Sequence, residues 1–184
     1  MTAPVPEAAV AGAVEAARAH LRIAGDGEDA VLARMARTAF ALGEAFTGAA
    51  FVARMFEDVV PATGAWMPLR VEPVLAVAGA TGLAAGGGTP FVLPAELYAA
   101  DVDAAGRGRV RVAVGAGAPR AAVSYRAGLA ESWDALPAPV ANGVVLLVAH
   151  LFDERGGRAA ATPPAAVTAL WRPWRRIRLE RRRA

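Results

Sequence analysis

The segment 28–48, EDAVLARMARTAFALGEAFTG, constrains the fold most, because its apolar residues recur at about 3.6-residue spacing. Leu32, Met35, Ala36, Ala39, Phe40, Gly43 and Phe46 fall on one stripe, while Arg34, Arg37 and Glu44 lie away from its middle. Asp26, Glu28 and Asp29 suit the helix N-terminus, where the backbone dipole favours negative charge. Gly48 can end the helix in the left-handed conformation. A helix over 28–47 would run about 30 Å and must bury one long face.

The rest of the chain is arranged around that need. PEAAVAGAVEAARAHLRI predicts a first helix over 4–23, closed by the breaker GDG. From about 50 to 126 the period drops to two, in short β-type runs split by Pro and Gly clusters. In GRVRVAV, Arg109 and Arg111 alternate with Val110, Val112 and Val114, as a half-exposed strand requires. TGLAAGGGTP reads as a hairpin loop or a mobile tip. Helix returns over 138–154, with Pro139 in its first turn and apolar residues on most sides, so it should be buried. Leu32, Met35, Phe40 and Phe46 are expected to pack against Val145, Leu147, Val148 and Leu151. The expected fold class is α+β and mainly α-helical. It is a small helical bundle with an antiparallel β insertion of four to six strands (50–126) between the second and third helices. An extended C-terminal helical arm follows. The expected division is a body over 1–155 and a linker with docking arm over 156–184.

Composition narrows function chiefly by exclusion. The chain has no cysteine, which removes disulfides, thiolate catalysis and cysteine metal sites. The apolar run around Val144–Leu151 is far short of the roughly 20 residues a spanning helix needs. The N-terminus lacks a basic cluster followed by an apolar block. A soluble product made in the cytoplasm, with no membrane partner, is expected.

No catalytic, cofactor-binding or metal-binding residues are assigned, and the chain is expected not to be an enzyme. The glycine-rich run at 79–90 lacks the Gly-Lys-Ser/Thr ending of a phosphate loop. His20 and His150, without cysteine, make a thin ligand set, and capping or core roles explain them better. Ser124 and Ser132 sit in no nucleophile elbow. The carboxylates of FEDVV and DVDAAG fall on strands beside turns and read as solvated.

Charge is placed unevenly. The segment 172–184 holds seven Arg and one Glu, a net +6, while residues 1–171 sum to −3. Leu170, Trp171, Trp174, Ile177 and Arg178 fall at helical spacing, so apolar anchors and arginines would share one short helix with a kink at Pro173. Trp and Arg are the residues most enriched at binding hot spots. The expected partner-binding set is Leu170, Trp171, Arg172, Trp174, Arg175, Arg176, Ile177 and Arg178, with Trp171 and Trp174 filling pockets on a partner. Truncation after Ala169 is then expected to leave the body folded. The alternative is a small DNA-binding protein using the same basic tail on phosphates, although no basic recognition helix lies within the fold.

Four stretches in order carry a family likeness: AHLRI with GDGEDAVLARMARTAFALGEAFTG, VSYRAGLAESWDALPAPV, VVLLVAHLFDERGG, and VTALWRPWRRIRL. Together they resemble the head–tail connector (adaptor) family of long-tailed phages and phage-like gene transfer agents, with tryptophan where a terminal tyrosine is usual. The resemblance implies a structural protein of the virion or particle neck, assembled in the bacterial cytoplasm. It implies neighbouring copies in a ring, commonly a 12-mer, beneath the portal protein, and a stopper or tail-terminator component as the next partner. DNA would pass through the lumen without sequence-specific binding. The C-terminal arm would reach the portal.

Overall fold

The computed structural model describes residues 3–154 and 163–176, and the chain forms two compact units. One is helical, built from the described residues within 5–52 and 130–176; the other is β, built from 53–129 with Ala3 and Pro4. The fold is α+β, with the strands inserted between the second and third helices as the change of period predicted. The C-terminal helix clusters with the other helices, because the tryptophan at its end is buried among them.

The helical unit contains α1 (Glu7–Leu21), α2 (Asp29–Thr47), α3 (Ala138–Asp153) and α4 (Ala165–Trp171). Helix α3 packs on the other three, and α1 packs on α2. Of the α2 stripe, Leu32, Ala36, Ala39, Phe40 and Gly43 are buried, while Met35 and Phe46 are half-buried. The opposing face of α3 contributes Val144, Val145, Leu147 and Val148. Gly48 caps α2 with φ 70°, and its N–H donates to the Glu44 carbonyl at 2.8 Å. Phe40 sits edge-on to Phe51 and Trp133, with ring centres 6.3 and 6.0 Å away.

The β unit holds two antiparallel sheets. Strands β1 (Arg54–Pro61), β3 (Val74–Leu83), β4 (Phe91–Val92) and β7 (Arg120–Ala127) form one, in the order β1-β7-β3-β4. Strands β2 (Met67–Pro68), β5 (Tyr98–Val102) and β6 (Gly108–Val112) form the other, in the order β2-β6-β5. The seven strands among the described residues exceed the expected four to six because β2 and β4 are two residues long, too short to show a period. The glycine-rich run is the β3–β4 hairpin loop, and Gly86 and Gly87 in it take φ 68° and 80°.

Strand β1 alternates cleanly: Phe56, Asp58 and Val60 point inward, while Met55, Glu57 and Val59 face out. The inward Asp58 is satisfied. Its carboxylate accepts from the Tyr125 hydroxyl at 2.9 Å and from the Arg70 N–H at 2.6 Å. The same hydroxyl accepts from the Val71 N–H at 3.0 Å, so one side-chain pair pins the loop leading into β3.

Candidate functional site

The C-terminal segment begins at Pro163 and Pro164, which cannot continue a preceding helix but suit the start of the next. Helix α4 then presents Val167 and Trp171 to the helical core, four residues apart on one face. Trp171 is completely buried. Its indole lies 5.8 Å from the Phe51 ring and 6.3 Å from that of Phe46, and its N–H donates to the Val140 carbonyl at 3.2 Å. Gly43 on α2 and Gly143 on α3 leave the space it occupies.

This corrects the expectation that Trp171 fills a pocket on a partner: the chain fills that pocket itself. A buried indole requires a partner for its N–H, and Val140 supplies one. The single helical stripe is corrected too. Helix α4 stops at Trp171, Arg172–Trp174 form a 3-10 turn, and Arg175 is extended. Pro173 has no N–H for a helix bond and fixes φ, so the segment turns rather than kinks.

After the turn the chain runs against the C-terminal end of α2. The Arg176 N–H donates to the Thr47 carbonyl at 2.7 Å, and the Arg175 guanidinium lies 5.2 Å from the Phe46 ring centre. Cationic side chains here complement the negative end of the α2 dipole, whose own last turn has no basic residue. Of the expected contact residues, Arg172 and Arg175 are exposed, while Leu170, Trp174 and Arg176 are half-buried. Ile177 and Arg178 lie outside the described residues.

A second cationic feature stands on the β unit, unforeseen as a cluster. Arg109 and Arg111 emerge on the outer face of β6, and their guanidinium carbons lie 4.9 and 5.2 Å from the Trp66 ring centre. Trp66 remains 38% exposed. Arg109 is held further by Asp101 on β5, its register partner, with the guanidinium Nη2 2.7 Å from the carboxylate. The alternation in GRVRVAV places both arginines on one face. Trp66 joins them only through the β2–β6 pairing, which local sequence does not reveal.

The helical unit also bears an open groove of about 590 Å³ along α1 and α2. Val10, Ala11 and Val14 contribute apolar lining, and Glu7, Glu15 and Asp29 contribute carboxylates. Glu7 pairs with Arg37 at 2.7 Å and Asp29 with Arg18 at 3.5 Å; Glu15 has no ion-pair partner among the described residues. Elsewhere the carboxylates serve turns and pairs: Asp103 accepts from the N–H groups of Ala105 and Arg107, and His150 lies 3.5 Å from Glu154. Among the described residues no group of three or more His, Asp and Glu is placed to hold a metal ion, and no helix is long and apolar enough to cross a membrane.

No family model and no curated protein matches the chain. Solved structures do. A chain in the neck of an empty gene transfer agent particle, computed with C6 symmetry, is 30% identical, with a TM-score of 0.77 and all of both chains covered. A chain in the neck of the native particle, computed with C12 symmetry, is 31% identical, with a TM-score of 0.70 and all of both chains covered. A chain of the native virion is 30% identical, with a TM-score of 0.72, covering 97% of this chain and 95% of that one.

Proposed function

The chain belongs to the head–tail connector family of long-tailed phages and gene transfer agents, and from that premise we propose that it is the adaptor of such a particle. Its place is the particle neck, where it is a structural component. In the proposed role, copies form a ring beneath the portal, extend the DNA channel, and receive the next neck component on the far side. The observation that carries this reading is the end-to-end match, at 30% and 31% identity, with chains in necks computed under C6 and C12 symmetry. Cyclic symmetry is what a ring of identical subunits requires.

The C-terminal segment would contact the portal through the exposed Arg172 and Arg175 and the half-buried Trp174 and Arg176. Trp171, buried in the helical unit, would anchor the base of that surface. Repetition around a ring lets a modest contact per copy hold the assembly by multivalency. DNA would traverse the ring without sequence-specific contacts.

The test is deletion of the gene followed by imaging of purified particles. Filled heads without tails are expected, and the wild-type chain supplied in trans should restore complete particles. Tailed, complete particles from the deletion strain would sink the adaptor reading.

A further inference from the structure

We propose that Trp66, with Arg109 and Arg111 stacked on it, is a knob that seats in the α1–α2 groove of an adjacent copy of this chain. The proposal rests on the ring reading and specifies the contact that repeats around it. Closed rings are built from heterologous contacts, in which one patch meets a different, complementary patch on the next subunit. The chain carries one patch of each kind.

The knob is pre-organised. Stacking on the indole and the Asp101 pairing hold Arg109, and stacking on the same ring holds Arg111. Arg111 has no carboxylate partner among the described residues, so its charge is available to a partner. A half-exposed indole flanked by guanidinium groups is the side-chain combination most enriched at binding hot spots.

The groove is the complement. Val10, Ala11 and Val14 offer an apolar seat for an indole, and its volume of about 590 Å³ falls in the range of pockets that enclose sizeable groups. Its carboxylates outnumber its one arginine, Arg18, and Glu15 is exposed without an ion-pair partner among the described residues. Arg111 of one copy and Glu15 of the next are thus the two uncommitted charges of opposite sign on the two patches. Pairing them would add orientation to an apolar contact.

The absence of cysteine makes a direct test available. Ala65, beside Trp66, and Ala11, in the groove, are both exposed alanines, so Ala65→Cys and Ala11→Cys are mild changes. Particles assembled from the double variant and treated with a thiol oxidant should give a ladder of disulfide-linked multimers, and each single variant should stay monomeric. Rings that assemble normally yet give no ladder would overturn this contact and leave the adaptor reading intact. Particles with no ring of this chain would remove both. A charge exchange guards against misfolding of the cysteine variant: Arg111→Glu and Glu15→Arg should each lower incorporation about tenfold, and the two together should restore it. Two further outcomes would overturn the proposal. One is a cross-link from Ala11→Cys to Leu179→Cys instead, which would assign the groove to the C-terminal tail. The other is Arg111→Glu that incorporates normally and loses only affinity for duplex DNA.

Discussion

The indole N–H of Trp171 donates to the carbonyl of Val140 at 3.2 Å, joining the last described helix to α3. The bond matters because of where it lies: the ring is fully buried against Phe46 and Phe51. The residue that looks most like a docking anchor in sequence is a core residue that fixes the base of the C-terminal segment.

Truncation is therefore predicted to separate two roles. Removing everything after Ala169 deletes Trp171 and leaves its cavity and the buried surface of Phe51 uncovered, so the helical unit should be destabilised. Trp171→Ala should cost about 3–5 kcal/mol through lost burial and the cavity left behind. Ending the chain after Arg176 keeps Trp171 and its contacts and should leave the helical unit more stable than ending it after Ala169 does. Thermal melts of the two truncations check this, and equal stability would contradict the core placement.

Gly143→Ala should destabilise although alanine is the better helix former by roughly 1 kcal/mol. A Cβ at this position would overlap the indole Nε1 of Trp171 and lie 2.7 Å from its Cε2. Overpacking of this kind costs about 1–3 kcal/mol, so the steric term should win. Chemical denaturation gives the sign directly. A second prediction isolates the cause: in a Trp171→Ala background the glycine substitution should lose most of its penalty.

The contrast between these residues and α2 shows what local sequence conveys. The α2 stripe and the Gly48 cap are encoded within one helix length, so periodicity and turn chemistry reveal them without tertiary knowledge. The destination of Trp171 is not encoded locally. It depends on two glycines, Gly43 and Gly143, one hundred positions apart, that make room on two different helices. Arginines beside a tryptophan look the same whether that tryptophan faces a partner or its own core. Trp66 is the converse case: it meets Arg109 and Arg111 only because β2 pairs with β6, and neither strand's spacing announces the other.

Tyr125→Phe should cost the β unit about 1–3 kcal/mol. The hydroxyl both donates to Asp58 and accepts from the Val71 N–H in a buried position, so its loss leaves two groups short of a partner. Chemical denaturation checks the magnitude. Amide exchange at Val71 should quicken in the same variant, and an unchanged rate would argue that another group replaces the hydroxyl.

The exposed cations of the C-terminal segment make the last prediction. Arg172 and Arg175 face solvent at a position secured by Trp171 below and by the Arg176–Thr47 backbone bond beside them. Reversing both to glutamate should change stability by less than about 1 kcal/mol, because surface charges contribute little to folding. If the segment docks on an acidic surface of the portal, the same variant should enter particles poorly. The defect should ease as salt rises, since exposed charges are screened over about 10 Å at 0.1 M. Trp174→Ala removes a half-buried apolar group rather than a charge, so its defect should persist at any salt. Incorporation measured across a salt series separates the two effects. Arg172→Glu with Arg175→Glu entering particles at the wild-type level, in a protein that melts normally, would remove this segment from the portal contact.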